Sequence, residues 1–440
     1  MRAIRGSILH CLRDPDFPPQ PDAVEHFEDG LLLVDNGKIV ACGHADKLLT
    51  GLSTDIQVTD YRGRLILPGF IDCHVHYPQL SVIGSYGTQL LEWLESYTFP
   101  AEAKFADRVH ATNTAKTFVN ELLRNGTTTA MVFATVHPES VDAIFEAACD
   151  QRMRLYSGKV LMDRHCPDDL RDSPEQGYAE SRELIEKWHG VDRLGYAITP
   201  RFAPTSSPEQ LRRAGDLANE FPDVHIHTHL SENHSEIAWV AELFPKARSY
   251  LDVYQSFDLV RERSVFAHCV HLDDQDLGQM CQHQAAAAFC PSSNLFLGSG
   301  LFDFVRTRNA GVNVGLGTDV GGGTSLSLFN TMADGYKVMQ LNGKSLSAFR
   351  ALYLATLGGA EALCADDRIG NFAVGKEADF IVVDPHSTPM ISQRQAITRS
   401  IAESFFVQMT LADDRAIEAT WILGEPAFER AQAVSDQTDQ

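Results

Sequence analysis

No Cys-x-x-Cys pair occurs in this chain, and its nine cysteines are scattered and odd in number. That argues against both a disulfide framework and a structural zinc knuckle. The absence of Pro-Cys-x-x-Cys also excludes the His/Cys/Cys zinc site of the small nucleobase deaminase fold. Positive charge is scarce. Lys and Arg number 37 against 59 Asp and Glu, a formal net charge of −22, and such a surface repels a phosphate backbone at every approach. Nucleic acid is therefore not an expected partner. No apolar run approaches the roughly 20 residues that span a bilayer, and the opening MRAIRGSILHCLRD turns to charge too early for a secretory signal. The expectation is no membrane association and a cytoplasmic location. Internal repeats, low-complexity tracts and flexible linkers are also missing, and only residues 431–440, AQAVSDQTDQ, read as a flexible tail.

What is present is an ordinary globular composition, 44% hydrophobic and 22% charged over 440 residues, enough for a large core. Apolar runs rich in β-branched residues recur between amphipathic stretches: TTTAMVFAT, RLYSGKVLMD, LGYAITPRFAP, VHIHTHLSE, SVFAHCVHL, AAAAFCPSSN and VNVGLGTD. With LILPGFIDCHVH there are eight strand candidates. Helical patterns such as SVDAIFEAACDQ and SPEQLRRAGDLANEF lie between them, opened by Ser or Ser-Pro. Alternation of this kind is the signature of an α/β fold of the (β/α)8 barrel type, whose reactive groups gather at the carboxyl ends of the strands. A doubly wound sheet would not bring its first and last strands to one point. The flanks are strand-rich. GLLLVDNGKIVACG reads as a hairpin turned at Asn36-Gly37, and residues 369–384, IGNFAVGKEADFIVVD, read as another pair of short strands. The expected organisation is a composite β-sandwich from residues 1–65 and 368–430, with the barrel, residues 66–367, inserted between its halves.

Four apolar runs end in metal-competent residues. In IDCHVH, strand alternation points His74 and His76 the same way, so that two imidazoles can reach one ion, while Cys73 and Val75 face away. In HIHTHLSEN, His225, His227 and His229 share a face; His229, nearest the carboxyl end, is the best third ligand, with packing or supporting roles for the other two. Asp319, ending VNVGLGTD before a Gly-rich turn, reads as a carboxylate ligand, a base, or simply a turn residue. Glu232 lies just past its strand end, where it either reaches a metal-activated water or is a solvated loop carboxylate. His268, closing VFAH, either hydrogen-bonds that water or is a satisfied core histidine. His271 faces elsewhere.

PGFIDxHVH, a His on the fifth strand, another on the sixth, an Asp on the eighth and the closing GKEADFIVVD together resemble the amidohydrolase superfamily over nearly the whole length. Within it, HYPQ (His76 to Gln79), LLEWLESYTFP, NGTTTA, ITPRFAPTSS, HTHLSEN, FCPSSNLFLGSG and GTDVGGGTS are similar to the guanine deaminase family. That resemblance implies zinc-dependent hydrolysis of guanine to xanthine and ammonia, one Zn2+ per subunit held by His74, His76, His229 and Asp319, and a homodimer. It implies that Asp319 and Glu232 move protons with His268 beside them. It further implies that His76, Tyr77, Pro78, Gln79, Arg201, Phe202, His229, Glu232 and Asp319 bind the purine, Arg201 at its carbonyl oxygen. Where the family usually carries Thr, this chain has Cys73, whose side chain alternation directs away from the metal. The fourth strand ends in Thr199-Pro200-Arg201 rather than in the modified lysine of two-metal members, and Lys159 lies on the third strand, so a single metal is expected. The alternatives are deamination or chlorohydrolysis of a pterin, an oxidised guanine or a triazine, and an inactive purine-binding metalloprotein.

Overall fold

The first four strands are β1 (Arg2–Cys11), β2 (Val24–Asp35), β3 (Lys38–His44) and β4 (Val58–Pro68), in which the runs 8–11, 31–34 and 65–68 are buried throughout. The structure, a computed structural model, describes residues 1–17, 21–86 and 89–431. β2 and β3 are joined at Asn36 and Gly37, with φ of 48° and 76°. Two successive left-handed residues make the type I′ turn whose twist suits a two-residue hairpin, as Asn-Gly predicts.

The barrel follows: β5 (Phe70–His76), β6 (Thr127–Phe133), β7 (Arg154–Gly158), the short β8 (Val160–Leu161), β9 (Leu194–Pro200), β10 (His225–Leu230), β11 (Ser264–His268), β12 (Ala286–Phe289) and β13 (Asn313–Leu316). Neighbours run in the order β13-β12-β11-β10-β9-β7-β6-β5, with β8 attached to β9, and the pairings are parallel. Helices including Arg108–Arg124, Pro174–Trp188 and Pro208–Glu220 return the chain between strands. Ser173 and Ser207 cap the last two, each accepting from a backbone N–H three residues on, with Pro in the first turn. The helix expected to open at Ser140 instead begins at Pro138. Ser140 is buried, and its hydroxyl donates to the His137 carbonyl at 2.7 Å. Backbone hydrogen bonds join the first barrel strand, β5, to the segment after the last: Asp319 N–H donates to the His74 carbonyl (2.8 Å) and His76 N–H to that of Val320 (2.9 Å).

The chain ends with β14 (Phe380–Val383), β15 (Ile417–Ile422) and β16 (Glu425–Glu429). These join the N-terminal strands in one seven-stranded sheet, β16-β15-β14-β4-β1-β2-β3. The sandwich is thus a single sheet curled on itself. Its edges approach where the Gly37 turn pairs with Ala378 and where a side chain at Gly37 would meet Leu423 at 3.1 Å. Alternation divides the faces. Leu9, Leu65, Leu67, Ile381 and Val383 pack into the barrel's outer core, while Ile8, Ile66, Phe380 and Val382 fill the inside of the curl.

Three details differ from the sequence reading. β4 runs to Pro68, so the sheet extends three residues past the expected boundary at 65, because Leu65 to Pro68 pair with β14. Of residues 369–384 only Phe380–Val383 form a strand; Gly375 and Lys376 hold Ile39 through backbone bonds without continuing a ladder. The C-terminal segment is not wholly sheet either, since helix Ile401–Leu411 packs on barrel helix Leu328–Leu341 through Tyr336 and Phe406, 5.1 Å apart. Apart from Ala431, the expected tail lies outside the described residues. Among the described residues no helix is long and apolar enough to cross a membrane.

Candidate active site

At the carboxyl end of the barrel, β5 presents His74 and His76, β10 presents His229, and the turn after β13 presents Asp319. One ligand atom from each lies within 4.8 Å of all the others. Nε2 of His76 is 3.2 Å from Nε2 of His74 and 3.3 Å from that of His229, and Asp319 Oδ1 is 3.1 and 3.3 Å from the His74 and His76 nitrogens. Donors about 2.0 to 2.1 Å from a tetrahedral centre are about 3.3 to 3.4 Å apart. Four of the six separations, 3.1 to 3.3 Å, come within about 0.2 Å of that spacing.

The outward ring nitrogens decide which face carries the lone pair. His229 Nδ1 bonds the Arg201 carbonyl at 2.7 Å; a carbonyl only accepts, so the proton is on Nδ1 and Nε2 is free to coordinate, while His74 Nδ1 lies 2.7 Å from His227 Nε2 and is held on the side of the ring away from the cluster. Burial keeps the imidazoles of His74 and His229 below their ordinary range and takes that of His76 to about 3. Burial alone would push the Asp319 carboxyl up, but His74 and His76 more than offset it and hold it well below the carboxylate range. Three neutral imidazoles and one carboxylate are the donor set of a divalent transition metal such as zinc. The residues fit the ion.

His225 and His227 occupy the same face of β10 lower in the barrel. His225 Nε2 hydrogen-bonds the Leu363 carbonyl (3.0 Å) and its ring packs on Tyr156, while His227 contacts His74 and packs on Phe133. Cys73 points away, its Sγ 3.7 Å from the Gly359 carbonyl. Lys159 is outside the cluster, bound to Asp172 (2.7 Å) and the Val136 carbonyl (2.6 Å).

Glu232 and His268 stand beside the cluster. His268 Nδ1 bonds Asn294 Oδ1 at 2.9 Å, leaving Nε2 3.4 Å from Glu232 Oε2 and 3.7 Å from Asp319 Oδ2. Glu232 Oε1 accepts from the Ser299 hydroxyl at 2.9 Å. Burial pushes the Glu232 carboxyl up to about 8, with the Asp319 charge adding to the rise against the Ser299 bond. A carboxyl in that state carries a proton at neutral pH and can donate it. Asp319 and His268 have left-handed φ of 49° and 71°, a conformation that turns the chain sharply and recurs at sites where side chains must be aimed.

Above these groups lies a pocket of about 410 Å³ including its mouth, lined by Gln79, Arg201, Phe202, Trp93 and Leu297 besides the cluster itself. The structure thus brings together His74, His76, His229, Asp319, Glu232, His268, Gln79, Arg201 and Phe202. It does not bring Tyr77 or Pro78 to the pocket. The Tyr77 hydroxyl donates to the Ser140 carbonyl (2.6 Å) and its ring packs on Phe105, because the chain turns into a 3-10 helix after His76 and alternation ends there.

Residue spacing did not reveal Ser299 and Asn294, which hold Glu232 and His268; both lie in FCPSSNLFLGSG, a string singled out without roles for them. It also missed Glu236, whose Oε2 accepts the backbone N–H of Glu232 (3.0 Å) and whose Oε1 accepts from Tyr250 (2.8 Å). Asn233 and Glu236 form a capping box at the start of helix His234–Leu243. The Asn-x-x-Glu spacing could have signalled it.

A model of the amidohydrolase family matches residues 65–426. Guanine deaminase of Escherichia coli is 50% identical over 98% of this chain and 98% of its own length, and its solved structure superposes with a TM-score of 0.95 over 98% of this chain and 100% of that one. A probable guanine deaminase of Deinococcus radiodurans is 41% identical over 98% of this chain and 99% of its own. A crystal structure of guanine deaminase from C. acetobutylicum with guanine bound in its active site is 30% identical, with a TM-score of 0.87 over 97% of this chain and 100% of that one. With the barrel, the ligand cluster and these likenesses along almost its whole length, the chain belongs to the amidohydrolase family, in the branch that contains the guanine deaminases.

Proposed function

We propose that this protein hydrolyses guanine to xanthine and ammonia, using one zinc ion per chain held by His74, His76, His229 and Asp319. The observation that carries this reading is the convergence of those four ligand atoms under a pocket whose wall includes Arg201, Gln79, Glu232 and His268. When bound, zinc supplies Lewis acidity, lowering the pKa of a water to about 7 so that it attacks at neutral pH.

The chain's own groups then manage the purine and the protons. Arg201 donates to the purine carbonyl oxygen, Gln79 offers an amide edge and Phe202 an aromatic face. This orients the amino-bearing carbon toward the metal ligands. Asp319, ionised, takes a proton from the attacking water. Glu232, protonated and buried, gives one to the ring nitrogen beside the attacked carbon. A carbon–oxygen bond forms, the carbon–nitrogen bond to the amino group breaks, and the nitrogen leaves as ammonia with the water's protons balancing the exchange. His268 spans the two carboxylates and steadies the new oxygen as charge develops on it. Leu90, Trp93, Leu94 and Leu297 limit water around the purine.

The test is ammonia release and xanthine formation from guanine by the purified zinc-loaded protein, beside a pterin, an oxidised guanine and a triazine. The reading fails if guanine releases no ammonia or if another heterocycle is turned over far faster.

A further inference from the structure

Gln79 and Arg201 reach the pocket from different elements, yet both are held by one carboxylate that does not line it. Glu102, at the end of the short helix Phe99–Glu102, is fully buried. Its Oε2 accepts from Arg201 Nη1 at 2.7 Å, and its Oε1 accepts from Gln79 Nε2 at 3.1 Å. Gln79 Oε1 accepts in turn from the Gly321 backbone N–H at 3.2 Å. The Arg201 guanidinium lies over the Phe99 ring, 5.3 Å from its centre.

A carboxylate only accepts and a backbone N–H only donates, so Glu102 can hold Gln79 by its NH2 end alone and Gly321 by its oxygen alone. Between them they select one of the two orientations of the amide, and with it the edge offered to a ligand. For Arg201, one charge-assisted bond together with stacking fixes the guanidinium plane and leaves its other N–H groups to the pocket. Without a counter-charge, a guanidinium this buried would favour anions over a neutral base.

We propose that Glu102 is the positioning residue for purine recognition: it sets the hydrogen-bonding edge of Gln79 and the plane of Arg201 without touching the substrate. This rests on the guanine reading above. Its expected signature is a defect in binding rather than in chemistry, since Glu102 makes no bond to the ligand cluster, to Glu232 or to His268.

Glu102→Gln has the same shape, but its NH2 must face either Arg201 or Gln79, both donors, so one of the two bonds is lost. The expected result is a KM for guanine raised about tenfold or more, the effect of one lost hydrogen bond to a charged group, with kcat within about threefold and zinc content unchanged. Calorimetric binding of xanthine, which is not turned over, should weaken in parallel. In an Arg201→Ala background, the added Glu102→Gln change should cost less than about twofold more, because the amide can then turn its oxygen to Gln79 with no guanidinium donor opposite its NH2. Unchanged KM and xanthine affinity would overturn the proposal, as would a fall in kcat alone or full multiplication of the two effects. Should Glu102→Gln fail to fold, Glu102→Asp decides by the same criteria, since it keeps the charge but is one methylene too short to hold both partners. A wild-type chain inert on guanine refutes the function and this role with it; an active wild type with an unaffected Glu102 variant refutes the role alone.

Discussion

Glu232→Gln separates a deaminase from a protein that merely binds zinc. The amide keeps the carboxyl's volume, and its oxygen can still accept from Ser299, as Glu232 Oε1 does at 2.9 Å. Its NH2 would face His268 Nε2, now 3.4 Å from Oε2 and 3.7 Å from Asp319 Oδ2. Glu232 is outside the four-residue ligand cluster, so zinc content and fold should survive. What disappears is the proton on a buried carboxyl whose pKa is near 8. A positioned acid or base is worth about 10² to 10⁴ in rate, or about 2.7 to 5.4 kcal/mol at 1.36 kcal/mol per decade. The variant should therefore lose at least about 100-fold in kcat, with kcat/KM falling alongside because the lost interaction exists only in the transition state. The assay is ammonia release beside zinc content for both proteins. Near-normal turnover would refute the reasoning and move the proton transfer to Asp319 or His268; loss of zinc would instead make Glu232 a ligand.

Chelation should abolish ammonia release and one equivalent of zinc per chain should restore it, while His229→Ala should bind less than half an equivalent; elemental analysis after gel filtration reads both, and two equivalents in the active protein would contradict the single site. Gly317→Ala should destabilise the protein by about 1 to 3 kcal/mol, the range for overpacking, because a methyl there would sit 2.9 Å from His74 Cβ and 3.0 Å from Cys290 Sγ; urea denaturation checks it, and an unchanged midpoint would show that β5 can yield. His225 is buried and its imidazole is lowered to about 4 by burial, against the bond to Leu363. Since the unfolded histidine titrates near 6.5, its contribution is fully present above that pH and is lost as pH falls toward 4, up to about 3 kcal/mol. His225→Gln should therefore show a shallower decline of stability between pH 6.5 and 4 in urea titrations, and equal slopes in the two proteins would remove His225 from the acid response.

The sequence by itself determined the barrel and the shared faces of its histidines, for a local reason. Strand alternation is a two-residue rule, so His74 and His76 necessarily share a face, His229 necessarily lies above His225 and His227, and Cys73 necessarily turns away. The Asn36-Gly37 turn is equally local, because only residues tolerant of left-handed φ close a two-residue hairpin. Local rules stop where the strands stop. Tyr77 and Pro78 follow His76 directly, yet the 3-10 helix there turns Tyr77 into the core, and no strand pattern foretells that. Only the tertiary structure decided that the flanking strands form one curled sheet, since the approach of Gly37 to Leu423 joins residues almost four hundred positions apart. It alone set the supports of the site as well. Glu102 meets Gln79 and Arg201, Ser299 meets Glu232 and Asn294 meets His268 across long stretches of chain, and a single carboxylate, hydroxyl or amide in a sequence does not reveal which distant partner it will satisfy once buried.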